Sequence, residues 1–265
     1  MGMPRAFARD AGSTLVVREQ HIRFLREAHA GAGLYMTGGV VGLDETDARL
    51  LMVMRHLSGE PAATFQTVVS HVTAQAGLAF PWSERVALRA AALQVEVPPY
   101  AAARSVSVEP VESGASLERA QALGLARIGM GVVGPQDCDV FGRMRTEQFM
   151  GRISDGIPRL VGQRPTAAQV EGSAGRIGGA ALEYRLVHFG WPCAGDRLEL
   201  RSGTASVDAR FRRFVHWMLD PETGRPWASA EAIAVNLDLD ARKIVTLSPQ
   251  AQAAAEAQVI PGLGL

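Results

Sequence analysis

Short apolar runs recur along residues 13–72, separated by turn residues. We count four strand-like runs there, and glycine- or proline-containing clusters stand at 31–33, 38–39 and 58–61. Apolar runs bounded by such clusters are typical of β-strands joined by hairpin-length links. A short helix is predicted at about 83–93, after Pro81, with Ser83 as its N-cap.

The same order of elements returns about 160 residues later. Strand-like runs occupy 182–189, 198–205, 211–219 and 227–237, and an alanine-rich helix is predicted at about 249–258. The tripeptide Asp-Ala-Arg occurs at 47–49 and again at 208–210, and an offset of 161 or 162 residues holds over four strands and the closing helix. A register kept over this length indicates a duplicated unit.

The pattern predicts a first half at residues 1–96, a linker at 97–125 and a second half at 126–265. The linker is rich in Pro, Ser and Ala, and a loop or mobile flap is expected at 164–179. Only the second half begins with a strand, at 126–133, and a central helix, at about 141–157. The counterparts in the first half would lie before Met1, and we favour a start placed too late, because a curved sheet without its helix would expose an apolar face.

The predicted central helix has two distinct faces. Its apolar stripe consists of Phe149, Ile153, Ile157 and Leu160, and its polar face of Arg145, Gln148, Arg152 and Asp155. Gly156 and Pro158 are expected to end it. An acid just before a helix start either caps the first turn or stands beside backbone N–H groups that are aimed at a substrate carbonyl.

Composition excludes several classes of protein. Hydrophobic residues make up 47% and charged residues 20%, as in globular proteins. Lys+Arg and Asp+Glu both number 27, so no overall field would attract nucleic acid or an anionic membrane. Two distant cysteines, Cys138 and Cys193, with neither a signal peptide nor a long apolar span, predict a cytoplasmic protein.

Other chemical motifs fail on their context. Gly129-Met130-Gly131-Val132-Val133-Gly134 has the spacing of a dinucleotide fingerprint, but Pro135 follows where a helix should begin. No Gly-x-Ser-x-Gly elbow occurs, and the six histidines have no metal-binding spacing. We therefore predict no metal and no cofactor.

The stretch Gly134-Pro135-Gln136-Asp137-Cys138-Asp139-Val140-Phe141-Gly142-Arg143-Met144 resembles the N-terminal signature of hotdog-fold acyl-CoA thioesterases of the 4-hydroxybenzoyl-CoA thioesterase type. The resemblance implies an α+β fold with antiparallel sheets wrapped around a central helix. With the internal repeat, it implies a double hotdog whose first half lacks its own initial strand and helix.

The resemblance also implies site residues. The acid that matches Asp139 serves as nucleophile or general base, and amides near Gly142 polarise the thioester carbonyl. Glu147 is an alternative acid, although a solvated helix carboxylate is the stronger interpretation. The substrate-binding residues expected around them are Gly142, Arg143, Met144, Arg145 and Gln148.

Two departures from the family pattern affect the chemistry. Arg143 stands where the family has histidine, and Arg145 where it has asparagine. An arginine can hold a phosphate or carboxylate, or it can pair with Asp139 and either keep it ionised or neutralise its role.

Three functions follow from the resemblance. The first is hydrolysis of an acyl-CoA or acyl-carrier-protein thioester at the junction of the halves. The second is a hotdog that binds acyl-CoA without catalysis, and the third, less favoured, is an enoyl-thioester hydratase or dehydratase. A homodimer is a further expectation.

Overall fold

The computed structural model describes residues 2–162, 165, 167–173 and 175–265. The first half contains four strands and one helix: β1 (Ser13–Phe24), β2 (Leu34–Leu43), β3 (Asp47–His56), β4 (Pro61–Thr73) and α1 (Glu84–Ala91). The predicted strands are confirmed, and Ser83 caps α1, since its hydroxyl accepts from the amide of Val86.

The rest of the chain follows the repeated order with additional elements. They are α2 (Leu117–Ala122), β5 (Ala126–Val132), α3 (Thr146–Val161), β6 (Val170–Glu171), β7 (Ile177–His188), β8 (Arg197–Val207), β9 (Phe211–Leu219), β10 (Pro226–Asp238), β11 (Lys243–Leu247) and α4 (Pro249–Glu256). The predicted second-half strands and closing helix are confirmed. The expected flap at 164–179 falls partly outside the described residues; β6 and the start of β7 lie within it.

The central helix was predicted about five residues too early. It runs from Thr146 to Val161 instead of about 141–157, because residues 138–144 form a tight turn paired with the loop around Cys193. Gly156 and Pro158 do not end it, since burial of the following turn, which includes Leu160, supports the helix past them. The predicted apolar stripe is confirmed: Phe149 and Ile153 are buried in the core.

The two halves share one antiparallel sheet. Its main strand order is β2-β3-β4-β1-β7-β10-β9-β8-β5, so β1 and β7 join the halves at the centre and each half repeats the same order outwards. Ile22 lies opposite Tyr184 in this central pair, and these residues are 162 positions apart. The offset read from the sequence repeat is therefore the offset that relates the two halves in space, and β5 with α3 has no counterpart in the described part of the first half.

One face of the sheet packs on α3. Phe149 and Ile153 contact apolar residues of β5, β7, β8, β9 and β10, which form the main core: Ile128, Leu186, Leu198, Leu200, Met218, Ala228 and Ala230. The same face continues across the junction, since Ile22 and Phe65 of the first half pack with Tyr184 and the second half of α3.

Residues 97–125, predicted as a linker, pack on the opposite face of the sheet. Gln66 on β4 donates to the carbonyl oxygen of Ala101 at 2.8 Å. Ala120 on α2 is fully buried against Trp217 of β9, together with Leu263 near the C-terminus. This segment therefore forms a second layer of the fold.

The first half leaves part of its sheet face open on the α3 side. Met52 lies opposite Phe65, and Met36 lies opposite Met54, so these side chains continue the face that α3 covers in the second half. Met36 is 48% exposed and Phe24 is 41% exposed. The described part of the first half has no helix of its own over this face, as the sequence pattern predicted.

Candidate active site

Asp139 closes the turn that precedes α3. Its Oδ1 accepts from the amides of Phe141 and Arg143, at 2.8 and 3.0 Å, and its own amide donates to the carbonyl of Arg143 at 2.7 Å. Gly142 takes a positive φ of 83°, which glycine adopts without strain and which the turn requires. The carboxylate is therefore fixed in orientation, and its side chain remains 32% exposed.

Arg143 places a cation against this carboxylate. Its Nε lies 3.5 Å from Oδ2 of Asp139, but the geometry does not make a hydrogen bond, and its Nε and one terminal nitrogen are buried without a partner among the described residues. The guanidinium lies 5.0 Å from the centre of the Phe141 ring. The pairing expected from the sequence thus exists as an ion pair with long separation.

The amides near Gly142 are not available to a substrate, which corrects the expectation that they polarise a carbonyl. The Gly142 amide donates to the carbonyl of Asp139 at 3.1 Å, and the neighbouring amides serve Asp139 itself. Backbone donors lie further on, in the first turn of α3, where Arg145 occupies the N-cap position and its side chain makes no capping hydrogen bond.

The remaining predicted residues fall in different environments. Met144 is 1% exposed in the main core and its amide donates to Pro192, so its side chain does not face the solvent side of the turn, which corrects its assignment to substrate binding. Arg145 and Glu147 are exposed and form an ion pair at 3.1 Å. Gln148 is half-buried in the same first turn of α3.

The two cysteines meet at this turn although they are far apart in sequence. Cys138 pairs with Met144, and Arg143 pairs with Cys193, so the turn and the loop at 191–194 lie side by side. Both thiols are free, and burial raises the pKa of each above its ordinary value. The local pairing is one that the sequence gave no signal for.

A buried aromatic cluster lies under the start of α3 and was missed from the sequence. His188 stacks on Trp191 at 4.4 Å, and both rings meet Phe149 edge-on. Neither ring nitrogen of His188 has a partner among the described residues, and the same holds for the indole nitrogen of Trp191. Burial, with a smaller effect of Arg18, lowers the pKa of His188 to about 3, so the ring is neutral.

The largest described cavity lies at the other end of α3. It has a volume of about 430 Å³ and lies between the C-terminal half of α3, strands β7, β9 and β10, and helix α4. A second cavity of about 230 Å³ lies between α3 and β5 and includes Arg152, Asp155 and Arg159. None of the predicted site residues lines either cavity.

Two further searches covered the residues that the structure describes. No cluster of His, Cys, Asp or Glu side chains there could hold a metal ion. Among those residues, no helix is both long enough and apolar enough to cross a membrane.

The chain matches the model of the thioesterase-like superfamily over residues 1–90 and 133–255. A search of curated proteins found no match to the sequence. The segment between the matched ranges contains the layer at 97–125, so the match covers the repeated units and leaves out the connection.

Several solved structures are similar in fold at low identity. The 12:0-ACP thioesterase from Umbellularia californica has a TM-score of 0.63 and 11% identity, covering 88% of this chain and 75% of that chain. A protein assigned as an oleoyl thioesterase from Lactobacillus plantarum has a TM-score of 0.61 and 10% identity, covering 84% and 77%. An acyl-ACP thioesterase from Bacteroides thetaiotaomicron has a TM-score of 0.57 and 11% identity, with coverages of 84% and 77%.

These findings agree with the strand order and with the single helix held against the sheet. The family match extends over most of the chain and includes both halves, while the structural similarity shows the fold. The chain therefore belongs to the thioesterase-like superfamily and is built as a double hotdog.

Proposed function

We propose that the protein hydrolyses an acyl thioester, carried on CoA or on an acyl carrier protein, at the turn before α3. The observation that carries this proposal is the Asp139 carboxylate: Oδ1 is fixed by two amides, while the side chain remains one-third exposed. Membership of the thioesterase-like superfamily and the names of the similar structures supply the reaction class.

The chemistry requires a positioned base and stabilisation of the oxyanion. As general base, Asp139 would take a proton from water while the water oxygen attacks the thioester carbonyl carbon. The carbon–sulfur bond then breaks, and the proton passes to the departing thiolate. As nucleophile, the same carboxylate would form an acyl anhydride that water hydrolyses. In either route the uncapped first turn of α3 supplies the nearest backbone donors for the oxyanion.

The carboxylate of Asp139 is tested by replacing it with its amide. In Asp139→Asn the amide oxygen can still accept from Phe141 and Arg143, so we expect the fold to remain and turnover to fall by about 10²-fold or more. The measurement is thiol release from acyl-CoA and acyl-carrier-protein substrates of several chain lengths, with the thermal unfolding midpoint as a check on folding.

Glu147→Gln is the matched control for the loss of one carboxylate in the same region. Glu147 is 62% exposed and paired with Arg145, so we expect its turnover to equal that of the wild type. Unchanged turnover in Asp139→Asn would remove Asp139 from the mechanism, and loss of turnover in Glu147→Gln alone would transfer the role to Glu147.

A second candidate function is binding of an acyl thioester without hydrolysis. Arg143 near Asp139, and the internal use of the amides at 141–143, favour it because both reduce what the turn can offer to a reacting carbonyl. A folded wild-type protein that is stabilised by acyl-CoA but releases no thiol at any chain length would establish this function in place of hydrolysis.

A further inference from the structure

The cavity at the C-terminal half of α3 contains an unpaired cation. Arg212 on β9 lines this cavity, its Nε is buried without a hydrogen bond, and no carboxylate of the described chain forms an ion pair with it. The next residue, Arg213, shows the contrast: on the other face of the strand it pairs with Glu231 at 2.9 Å and donates to the carbonyl of Ser105 at 2.7 Å.

The acidic residue that lines the cavity does not compensate Arg212. Oδ1 of Asp208 accepts from the amides of Arg210 and Phe211, at 2.6 and 2.9 Å, and so holds the turn between β8 and β9. Among the lining residues that the structure describes, two arginines, Arg210 and Arg212, stand against this one acid. The charge left inside the cavity is therefore positive.

The other walls are mostly apolar. Ile157 and Val161 come from α3, Phe214 and Ala234 from the sheet, and Ala251 from α4. The volume of about 430 Å³ lies within the range of small-molecule sites, roughly 300–1,000 Å³. An apolar chamber with one cation on its wall complements an elongated apolar ligand that carries an anionic group.

The physical chemistry of arginine selects the kind of anion. Burial lowers the pKa of Arg212, but an arginine side chain stays protonated in proteins, so the cation must be balanced by a ligand or by water. Its planar guanidinium matches a carboxylate through two parallel hydrogen bonds. A second anion on the ligand would have only the exposed Arg210 to meet.

We propose that this cavity binds the carboxylate of an aliphatic acid, with Arg212 as its anchor and the hydrocarbon tail lying against α3 and α4. The site is separate from the turn that contains Asp139, because no residue of 137–148 lines the cavity. The inference therefore does not rest on the proposed hydrolysis, and binding can be measured without turnover.

The test is isothermal titration calorimetry with octanoate and with 1-octanol, which share the tail length and differ in the charged group. We expect the wild type to bind octanoate at least tenfold more tightly than 1-octanol. Arg212→Gln should weaken octanoate binding at least tenfold and leave 1-octanol binding unchanged, while Arg212→Lys should retain most of the octanoate affinity because it keeps the charge. Octanoate affinity equal to that of 1-octanol in the wild type, or unchanged in Arg212→Gln, would overturn the proposal.

Three further variants make the result specific. Arg127→Gln removes an exposed cation on the edge strand β5, and we expect no change in octanoate affinity. Ala251→Leu enlarges a side chain on the cavity wall from α4 and should weaken both probes. Asp139→Asn should bind octanoate as the wild type does, which separates this site from the proposed active site. Octanoate binding that is untouched by Ala251→Leu would place the ligand elsewhere and reject the cavity.

Discussion

Two histidines of the second half are buried as neutral rings. His188 stacks on Trp191, and Nδ1 of His216 lies 2.8 Å from the hydroxyl of Ser202. Burial lowers the pKa of each to about 3. The unfolded chain protonates a histidine below about pH 6.5, so unfolding takes up protons between pH 6.5 and about 3. Stability is therefore lost as the pH falls through this window.

The contribution of His188 is tested with His188→Leu. We expect the free energy of unfolding to fall less steeply between pH 6.5 and 5 than in the wild type, by up to about 1.4 kcal/mol per pH unit, because one proton fewer is taken up. The measurement is urea unfolding at a series of pH values. His29→Leu, at an exposed position, is the control and should keep the wild-type slope; an unchanged slope in His188→Leu would show that His188 is protonated in the folded state.

At the residue scale, the sequence predicted which residues would be neighbours but not the direction of their side chains. The spacing of Asp139, Gly142 and Arg143 did place them in one turn, as the bonds to Oδ1 of Asp139 show. Met144 comes directly after them and points into the core instead. Arg212 gave no distinctive signal, because neighbouring arginines on a strand do not reveal which of them has an acidic partner across the sheet.

The helix α3 contains two glycines in contrasting positions. A Cβ on Gly156 would lie 2.8 Å from Cδ1 and 3.0 Å from the carbonyl oxygen of Ile128 on β5, whereas a Cβ on Gly151 would meet nothing within 4 Å. Gly156 therefore allows the helix to approach the sheet closely. Gly151 has no such role.

A pair of alanine substitutions tests this difference between the two glycines. Gly156→Ala should destabilise the protein by about 1–3 kcal/mol, because β5 or the helix must shift. Gly151→Ala should stabilise it by about 0.5–1 kcal/mol through helix propensity. The measurement is urea unfolding, with the midpoint and the slope compared. Equal effects of the two substitutions would mean that the contact with Ile128 does not limit the packing of α3.

At the element scale, the helix ends were the part of the pattern that could not be predicted. The stripe of Phe149 and Ile153 follows from local periodicity. The late start at Thr146 depends on the pairing of Arg143 with Cys193, 50 residues further along the chain. The helix also continues through Pro158, because the turn after it is buried, and burial is a property of the packed structure.

A buried cluster of charges joins the halves and the layer at 97–125. Glu183 on β7 receives hydrogen bonds from His21 on β1, at 2.7 Å, and from the amides of Arg104 and Ser105, at 2.9 and 2.8 Å. Burial raises the pKa of Glu183, but these hydrogen bonds outweigh it and the pKa lies below its ordinary value. One carboxylate thus ties together both halves of the sheet and the segment that covers it.

Glu183→Gln should destabilise the whole molecule. An amide cannot accept all three hydrogen bonds, and its NH₂ group would face a donor, so we expect a loss of about 2–4 kcal/mol in the free energy of unfolding. Because β1 and β7 are paired in one sheet, circular dichroism and tryptophan fluorescence should report a single coincident transition.

Glu112→Gln, at an exposed position of the same layer, is the control for Glu183→Gln and should change stability by less than about 0.5 kcal/mol. A change in Glu183→Gln as small as this would show that the cluster does not hold the halves together. Separate transitions for the two probes would show that the halves unfold independently.

The sequence alone determined the repeated order of strands, the amphipathic helix and the family signature, because each is written in local periodicity or in a short motif. The tertiary structure decided how the halves join through β1 and β7, how residues 97–125 cover the sheet, and how Arg212 comes to lie unpaired in a cavity. These features depend on contacts between residues up to about 160 positions apart. Such contacts are selected by the free energy of packing of the whole chain, which no local pattern specifies.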